Sequence, residues 1–341
     1  YDSKSSIVIS TYKANKVITF GSLNGSDIKQ VATPLKKPMG IAIHQDNLAI
    51  GCLDSIHFFS SKIDATKVNE IKDKGFDKLY LHRAEFNTSI LDLHDIHFAK
   101  DQLWGINTSF SCLCTFDINY SFIPKWKPNF ISRLTPEDRC HLNGLALRNG
   151  LPKYATALSK TDVKQGWRNN INESGVLMEI PSGRIIADCL SMPHSPLVID
   201  DELYLLESGI GQLVKVDLET NNKTIIYDFQ RFTRGMTYIN GTLIIGMSKI
   251  RKTSKTFDKL EIRDQADVSG LILFNLQFGQ IIGEIDLSDV AEEIYDVKHF
   301  SGALMPAIVP DKNNLSLDTI TMPKNSFRVK RQEVKKQELK N

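Results

Sequence analysis

His94, His194 and Arg234 lie far apart in the chain, yet each heads a short apolar run: HDIHFA, HSPLVI and RGMTYI. Imidazole titrates near neutral pH and can give or take a proton. Guanidinium is a rigid fork of donors that matches carboxylate or phosphate. Asn143, Tyr295 and Met39 head three more runs of the same form, NGLALR, YDVKHF and MGIAIH. Polar groups in such places are costly to bury unless they are paired or hydrated. They would either satisfy one another and ordered water or bind a ligand. As a ligand site they suit an anionic small molecule or sugar. Arg234 would hold the negative charge, His194 would exchange protons, and His94, Asn143 and Tyr295 would orient the ligand.

Three further motifs sit beside these positions. PEDRCHLNGLA (136–146) packs Glu137, Asp138, Arg139 and His141 together. His141 is a candidate second proton carrier and Arg139 a candidate ligand contact; a buried arginine–carboxylate pair pinning the loop is the structural alternative. TALSKTDVKQGWR (156–168) places Asp162, Trp167 and Arg168 on one segment. An indole beside a guanidinium suits a sugar ring or a planar anion, and equally suits a plug that packs the loop down. LSMPHSP (190–196) fixes His194 between two prolines, and Gly235 lets backbone approach a ligand beside Arg234.

The elements that must carry these residues follow from repetition. The six runs recur at intervals of 40–61 residues, each as a strand, a short polar turn and a second strand. Five segments between them, 17–32, 55–71, 175–189, 213–228 and 270–285, read as a second hairpin rich in Gly, Asn or Ser at its turn, and 112–126 fills that slot less regularly. Four strands per repeat and six repeats predict an all-β, six-bladed β-propeller. The first residue of each inner strand then faces the central channel at one mouth, and two long insertions, 157–174 and 247–269, overhang that mouth.

Closure is expected from strands of both termini sharing one blade. Residues 295–299 and 303–308 would supply its inner pair and 17–32 its outer pair, with 6–11 as another strand of the b type that either replaces 303–308 or lies beside it. The predicted organisation is a propeller over residues 1–310 and a basic tail over 311–341 that is flexible in solution. The tail holds eight Lys/Arg against four Asp/Glu, although the whole chain carries only +2.

That near-neutral balance argues against a nucleic-acid-binding body. No apolar run reaches about 18 residues, so no membrane insertion is expected, and no signal peptide is visible. Five cysteines without a pairing framework point to free thiols and a cytoplasmic setting. His94, His141 and His194 with Asp95 could hold a divalent transition metal, but no ligand spacing supports one, and no metal ligand or other cofactor is assigned. Partners are a small anion or sugar, and alternatively a protein docked across the mouth face. Whether the protein is an enzyme stays open; lyase, lactonase or epimerase chemistry would suit an arginine clamp beside an acid–base pair.

The runs W-x-P-x-F-I-S-x-L, E-D-R-C-H-L-N-G-L-A, T-D…G-W-R, L-S-M-P-H-S-P, S-G-x-G and R-G-M resemble those of a bacterial family catalogued only as a conserved protein of unknown function. They fall here at Trp126–Leu134, Glu137–Ala146, Thr161–Arg168, Leu190–Pro196, Ser208–Gly211 and Arg234–Met236. The resemblance spans roughly residues 6–310 and implies kinship without a reaction. Calcium-dependent lactonases of six-bladed shape use a Glu, an Asn and an Asp at the mouth, of which only Asn143 fits. Propeller polysaccharide lyases, with His and Arg near an acidic sugar, are somewhat more similar.

Overall fold

The apolar run at the head of each repeat becomes the innermost strand of a four-stranded antiparallel sheet, and six sheets stand around one axis. The computed structural model describes residues 3–62, 75–250, 256–310, 319–323 and 325–328. From the axis outward, with strands lettered a to d, blade 2 runs Leu93–Ala99, Gln102–Asn107, Cys112–Asp117 and Tyr120–Trp126. Blade 3 runs Leu142–Arg148, Leu151–Ala157, Gly175–Glu179 and Ile185–Leu190. Blade 4 runs Pro193–Ile199, Glu202–Glu207, Gln212–Val216 and Lys223–Asp228. Blade 5 runs Thr233–Ile239, Thr242–Met247, Gly270–Asn275 and Gln280–Asp286. Each strand a contacts strand a of both neighbouring blades, and the ring closes between blade 6 and blade 1. The chain is a six-bladed β-propeller.

Blade 6 joins the termini. Its strand a is Asp296–Ser301 and its strand b is the N-terminal Ser5–Thr11, paired antiparallel from Ser5 with Ser301 to Ser10 with Asp296. Lys16–Gly21 and Lys29–Pro34 complete it. Residues 6–11 are therefore strand b in place of 303–308, and the later segment is displaced. Pro306–Val309 pairs parallel with Lys78–Leu81 as a fifth, outermost strand on blade 1. Both segments are short and apolar, so local pattern could not rank them; packing decides. Val8 and Ile9 point to opposite faces of the strand and are fully buried, one toward blade 1 and the other toward blade 5. Burying each is worth about 1.5–3 kcal/mol.

Blade 1 carries a second correction. Its strands a to c are Ile41–His44, Asn47–Gly51 and Ser55–Ser60, but strand d is Lys78–Asn87, beyond the 55–71 segment expected to hold the hairpin. Residues 63–71 of that expectation lie outside the described residues.

Six apolar clusters, one per interface between blades, form the core. Polar stitches run beside them. Asp296 Oδ2 accepts Ile41 N–H, Asp95 Oδ2 accepts Leu145 N–H and Ser195 Oγ accepts Gly235 N–H, each at 2.9 Å and each from one blade to the next. These bonds satisfy inner-strand groups that no ladder reaches. Most of the expected tail lies outside the described residues; within it, Thr319–Met322 and Asn325–Arg328 pair as a hairpin. Among the described residues no helix is long and apolar enough to cross a membrane.

Candidate functional site

Four strands a begin with a break in register. The pairing shifts between Leu93 and Ile96, Leu142 and Gly144, His194 and Leu197, and Thr233 and Met236. A bulge bends the strand and re-aims one side chain. Here it turns His94, Asn143, His194 and Arg234 toward the axis, where all four line one narrow cavity of about 30 Å³ together with Tyr295. That is room for two or three waters at about 10–15 Å³ each. Above it opens a mouth cavity of about 330 Å³, also bordered by His194 and Arg234 and by His141, Trp167 and Phe232. Left-handed backbone clusters at this end: Asp92, Asp138, His141, Met192 and Ser195 all have φ between 46° and 52°. Non-glycine residues hold such angles when their surroundings fix them, a feature common at binding sites.

The wiring of the histidines repeats between blades. His94 Nδ1 lies 3.1 Å from Asp92 O and 2.9 Å from Thr108 Oγ1. His194 Nδ1 lies 2.9 Å from both Met192 O and Ser208 Oγ. Each hydroxyl spends its only hydrogen elsewhere: Thr108 donates to Leu142 O and Ser208 to Thr233 O, both at 2.5 Å in the next blade. A carbonyl and an occupied hydroxyl can only accept, so both imidazoles carry their hydrogen on Nδ1. Burial first, then His141 and Arg234 for His94 and Arg234 for His194, holds both rings well below the usual histidine range. They are neutral at pH 7, with the Nε2 lone pair unused by any described residue.

His141 is oriented by a carboxylate instead. Both oxygens of Asp138 lie 3.0 Å from its Nδ1, and Asp138 Oδ2 also accepts Trp167 Nε1–H at 2.8 Å. A carboxylate behind an imidazole orients the ring and stabilises the imidazolium if Nε2 takes a proton. The His141 ring meets His94 edge to face, with centroids 4.6 Å apart.

Arg234 supplies the charge. Its guanidinium lies 3.5 Å above the Tyr295 ring, and no described carboxylate forms an ion pair with it. Stacking on a ring face leaves the in-plane N–H donors available. Tyr295 is buried, its Oη has no hydrogen-bond partner in acceptable geometry, and burial pushes the phenol well above its usual range, so it remains a donor. Beneath the site Lys298 lies 3.3 Å from Asp296 and 3.7 Å from Asp95, which keep it charged against the effect of burial. His97 Nε2 lies 3.0 Å from Asp95. The axis below the mouth is filled by this paired set.

The remaining expected site residues go elsewhere. Asn143 borders the axis, but its amide is spent: Nδ2 donates to Pro193 O and Oδ1 accepts from Thr156 Oγ1. Arg139 and Asp162 do not reach either cavity. Arg139 pairs with Asp162 at 2.6 Å and with Glu137 at 2.8 Å, pinning one loop to another. Hydrogen bonds from Ser132 and Arg139 hold the Asp162 carboxyl down to about 2. Trp167 is buried, with the His141 ring centroid and the Arg168 guanidinium each 4.2 Å from its ring, so no face remains for a sugar. Arg168 bonds Thr256 Oγ1 on the other insertion instead of lining the mouth. The two insertions share one apolar cluster through Leu158, Trp167, Ile171, Phe232, Ile250 and Leu260. No group of three or more His, Cys, Asp or Glu among the described residues is arranged to hold a metal ion.

Thr108, Ser208 and the orienting role of Asp138 were missed from sequence. The signal existed: in both blades the hydroxyl follows its histidine by 14 residues.

Fold and site together define a six-bladed propeller whose mouth gathers three histidines around an arginine with no carboxylate partner among the described residues. The chain belongs to the family described as Domain of unknown function (DUF4915), whose model matches residues 1–309. No curated protein matches it. Among solved structures it is similar to a protein of unknown function from Bacteroides caccae, at 11% identity and a TM-score of 0.55, covering 87% of this chain and 98% of that one. It is also similar to a chain of the nidogen/laminin complex, at 10% identity and a TM-score of 0.52, covering 87% and 99%. At such identities the likeness concerns the fold alone.

Proposed function

We propose that the propeller mouth binds a small organic anion through Arg234 and exchanges a proton with it through His141 and its orienting carboxylate, Asp138. The observation that carries this is a guanidinium without a carboxylate partner, set among imidazoles whose Nε2 lone pairs have no described partner. A half-buried cation without a described carboxylate partner gains from an incoming anion. His141 Nε2 would take a proton from carbon beside the carboxylate, while Arg234 stabilises the charge that develops on its oxygens. That step is common to lyases and epimerases. Lactonase chemistry of the Glu–Asn–Asp kind is not supported, because the Asn143 amide is already occupied at both ends. Five free cysteines, four of them buried, support a reducing compartment such as the cytoplasm.

Calorimetry with a panel of small carboxylates and matched neutral amides tests the reading. Carboxylates should bind and amides should not. Arg234→Gln should weaken binding about 10- to 100-fold, the equivalent of one charged hydrogen-bond pair at about 1.5–3 kcal/mol. In D2O the wild type should wash deuterium into the position beside the carboxylate, and His141→Asn should stop this while still binding. Equal affinity for amides, or indifference to Arg234→Gln, would sink it.

A further inference from the structure

Resting on that anion-binding reading, we infer the class of the ligand: a 2-hydroxy or 2-amino acid with an apolar side chain, not a sugar acid and not a phosphate. Three features of the mouth converge on it.

The first is the number and kind of donors. The Arg234 guanidinium, which borders both cavities, and the Tyr295 hydroxyl, which borders the inner one, are donors at the head-group site. Two donors beside one cation match the two oxygens and single charge of a carboxylate.

The second is the acceptors. The lone pairs on Nε2 of His94, His141 and His194 are fixed by what holds each Nδ1, so the rings cannot switch tautomer to suit a ligand. An ionised phosphate or sulfate offers oxygens that only accept, and these lone pairs would repel it. A hydroxyl or ammonium on the carbon next to the carboxylate supplies the missing hydrogen, and an ammonium supplies three.

The third is the wall. Above the head-group site the cavity is bordered by Leu158, Met192, Phe232, Ile250, Phe257 and Ile294. The polar groups in that wall are already engaged: Ser248 with Ile294 as both donor and acceptor, Tyr12 Oη as acceptor from Lys37, the Lys13 ammonium with Glu292, the Lys249 ammonium with Ser288 O, and Glu293 with Lys13 N–H. A sugar acid would bury several hydroxyls there without partners, and Trp167 has no free face to stack on its ring. An aryl or branched alkyl side chain fits. At about 330 Å³ the cavity is of the size of ordinary small-molecule sites.

Calorimetry at pH 7.5 on the full chain decides it, with five probes: 3-phenyllactate, phenylalanine, 3-phenylpropionate, galacturonate and phenyl phosphate. Phenyllactate or phenylalanine should bind at least tenfold more tightly than 3-phenylpropionate, which lacks only the donor, and than galacturonate. Whichever of the two wins identifies hydroxyl or ammonium. Phe232→Ala should weaken the winner at least tenfold. Galacturonate or phenyl phosphate binding most tightly, or no gain from the donor, overturns the inference while leaving an anion site intact. No binding of any probe, or affinities unchanged in Arg234→Gln, overturns both the inference and the reading beneath it.

Discussion

Lowering the pH from 7.5 to 5.5 should destabilise this protein through two named histidines. In the folded chain His94 and His194 are held well below the ordinary imidazole range by burial, reinforced by Arg234 and the neighbouring rings. Unfolding frees them to titrate at about 6.5. Their folded pKa is the lower one, so protonation favours the unfolded chain. The stability they contribute is complete above about pH 6.5 and is lost as the pH falls below it. An unfolded imidazole is about one-tenth protonated at pH 7.5 and about nine-tenths at 5.5, so each residue that stays neutral in the fold gives up about 1.4 kcal/mol over that interval. Together the loss is about 2.7 kcal/mol, or roughly 4 °C in Tm for a chain of this size. Urea unfolding at half-unit pH steps measures it, with the His94→Gln, His194→Gln double variant as reference. Other titrating groups are common to both proteins, so the difference between the two slopes isolates the pair. Nitrogen-15 spectra of the wild type give a second readout, in which both rings should remain neutral with hydrogen on Nδ1 at pH 5.5. Parallel slopes, together with rings that titrate at 6.5 or above, would refute the burial argument.

Two further perturbations test the wiring and the backbone. Ser208→Ala removes the hydrogen bond to Thr233 O and one of the two acceptors at His194 Nδ1; unfolding should show a loss of about 1–3 kcal/mol, and nitrogen-15 spectra should show a mixture of His194 tautomers in place of one. Gly235→Ala should be among the most damaging single changes on the axis, because φ there is +76° and a Cβ would lie 2.8 Å from Val297 N, which is backbone and cannot step aside; denaturant midpoints should fall by more than for Gly241→Ala, where φ is also positive but the space is open.

Trp167 illustrates how a side chain with two plausible roles is settled. An indole beside an arginine on an overhanging loop is compatible with ligand stacking or with packing. The choice depends on what lies against each face of the ring, and His141 and Arg168 come from 26 residues away and next door respectively. Arg139 and Asp162 show the same ambiguity resolved the same way: an arginine–carboxylate pair was a visible alternative, and it is what forms. At the seam, Ser5–Thr11 and Pro306–Val309 have nearly the same local character, and only pairing with Asp296–Ser301 separates strand b from an outer addition.

Local chemistry determined the architecture. Short strands of alternating burial, polar turns and a recurring head residue are properties of neighbouring positions, and their repetition leaves few ways to bury every sheet face. That much was legible from residue order alone, including which residues stand at the heads of the inner strands. Tertiary structure decided what those residues can do. The bulges that aim them form where strands a and b of one blade pair, while the bonds that commit Thr108 and Ser208 as acceptors for His94 and His194, and the absence of a described carboxylate beside Arg234, arise between blades. Such contacts join positions tens to hundreds of residues apart, and a hydrogen bond depends on distances of a few tenths of an ångström that no spacing along a chain encodes.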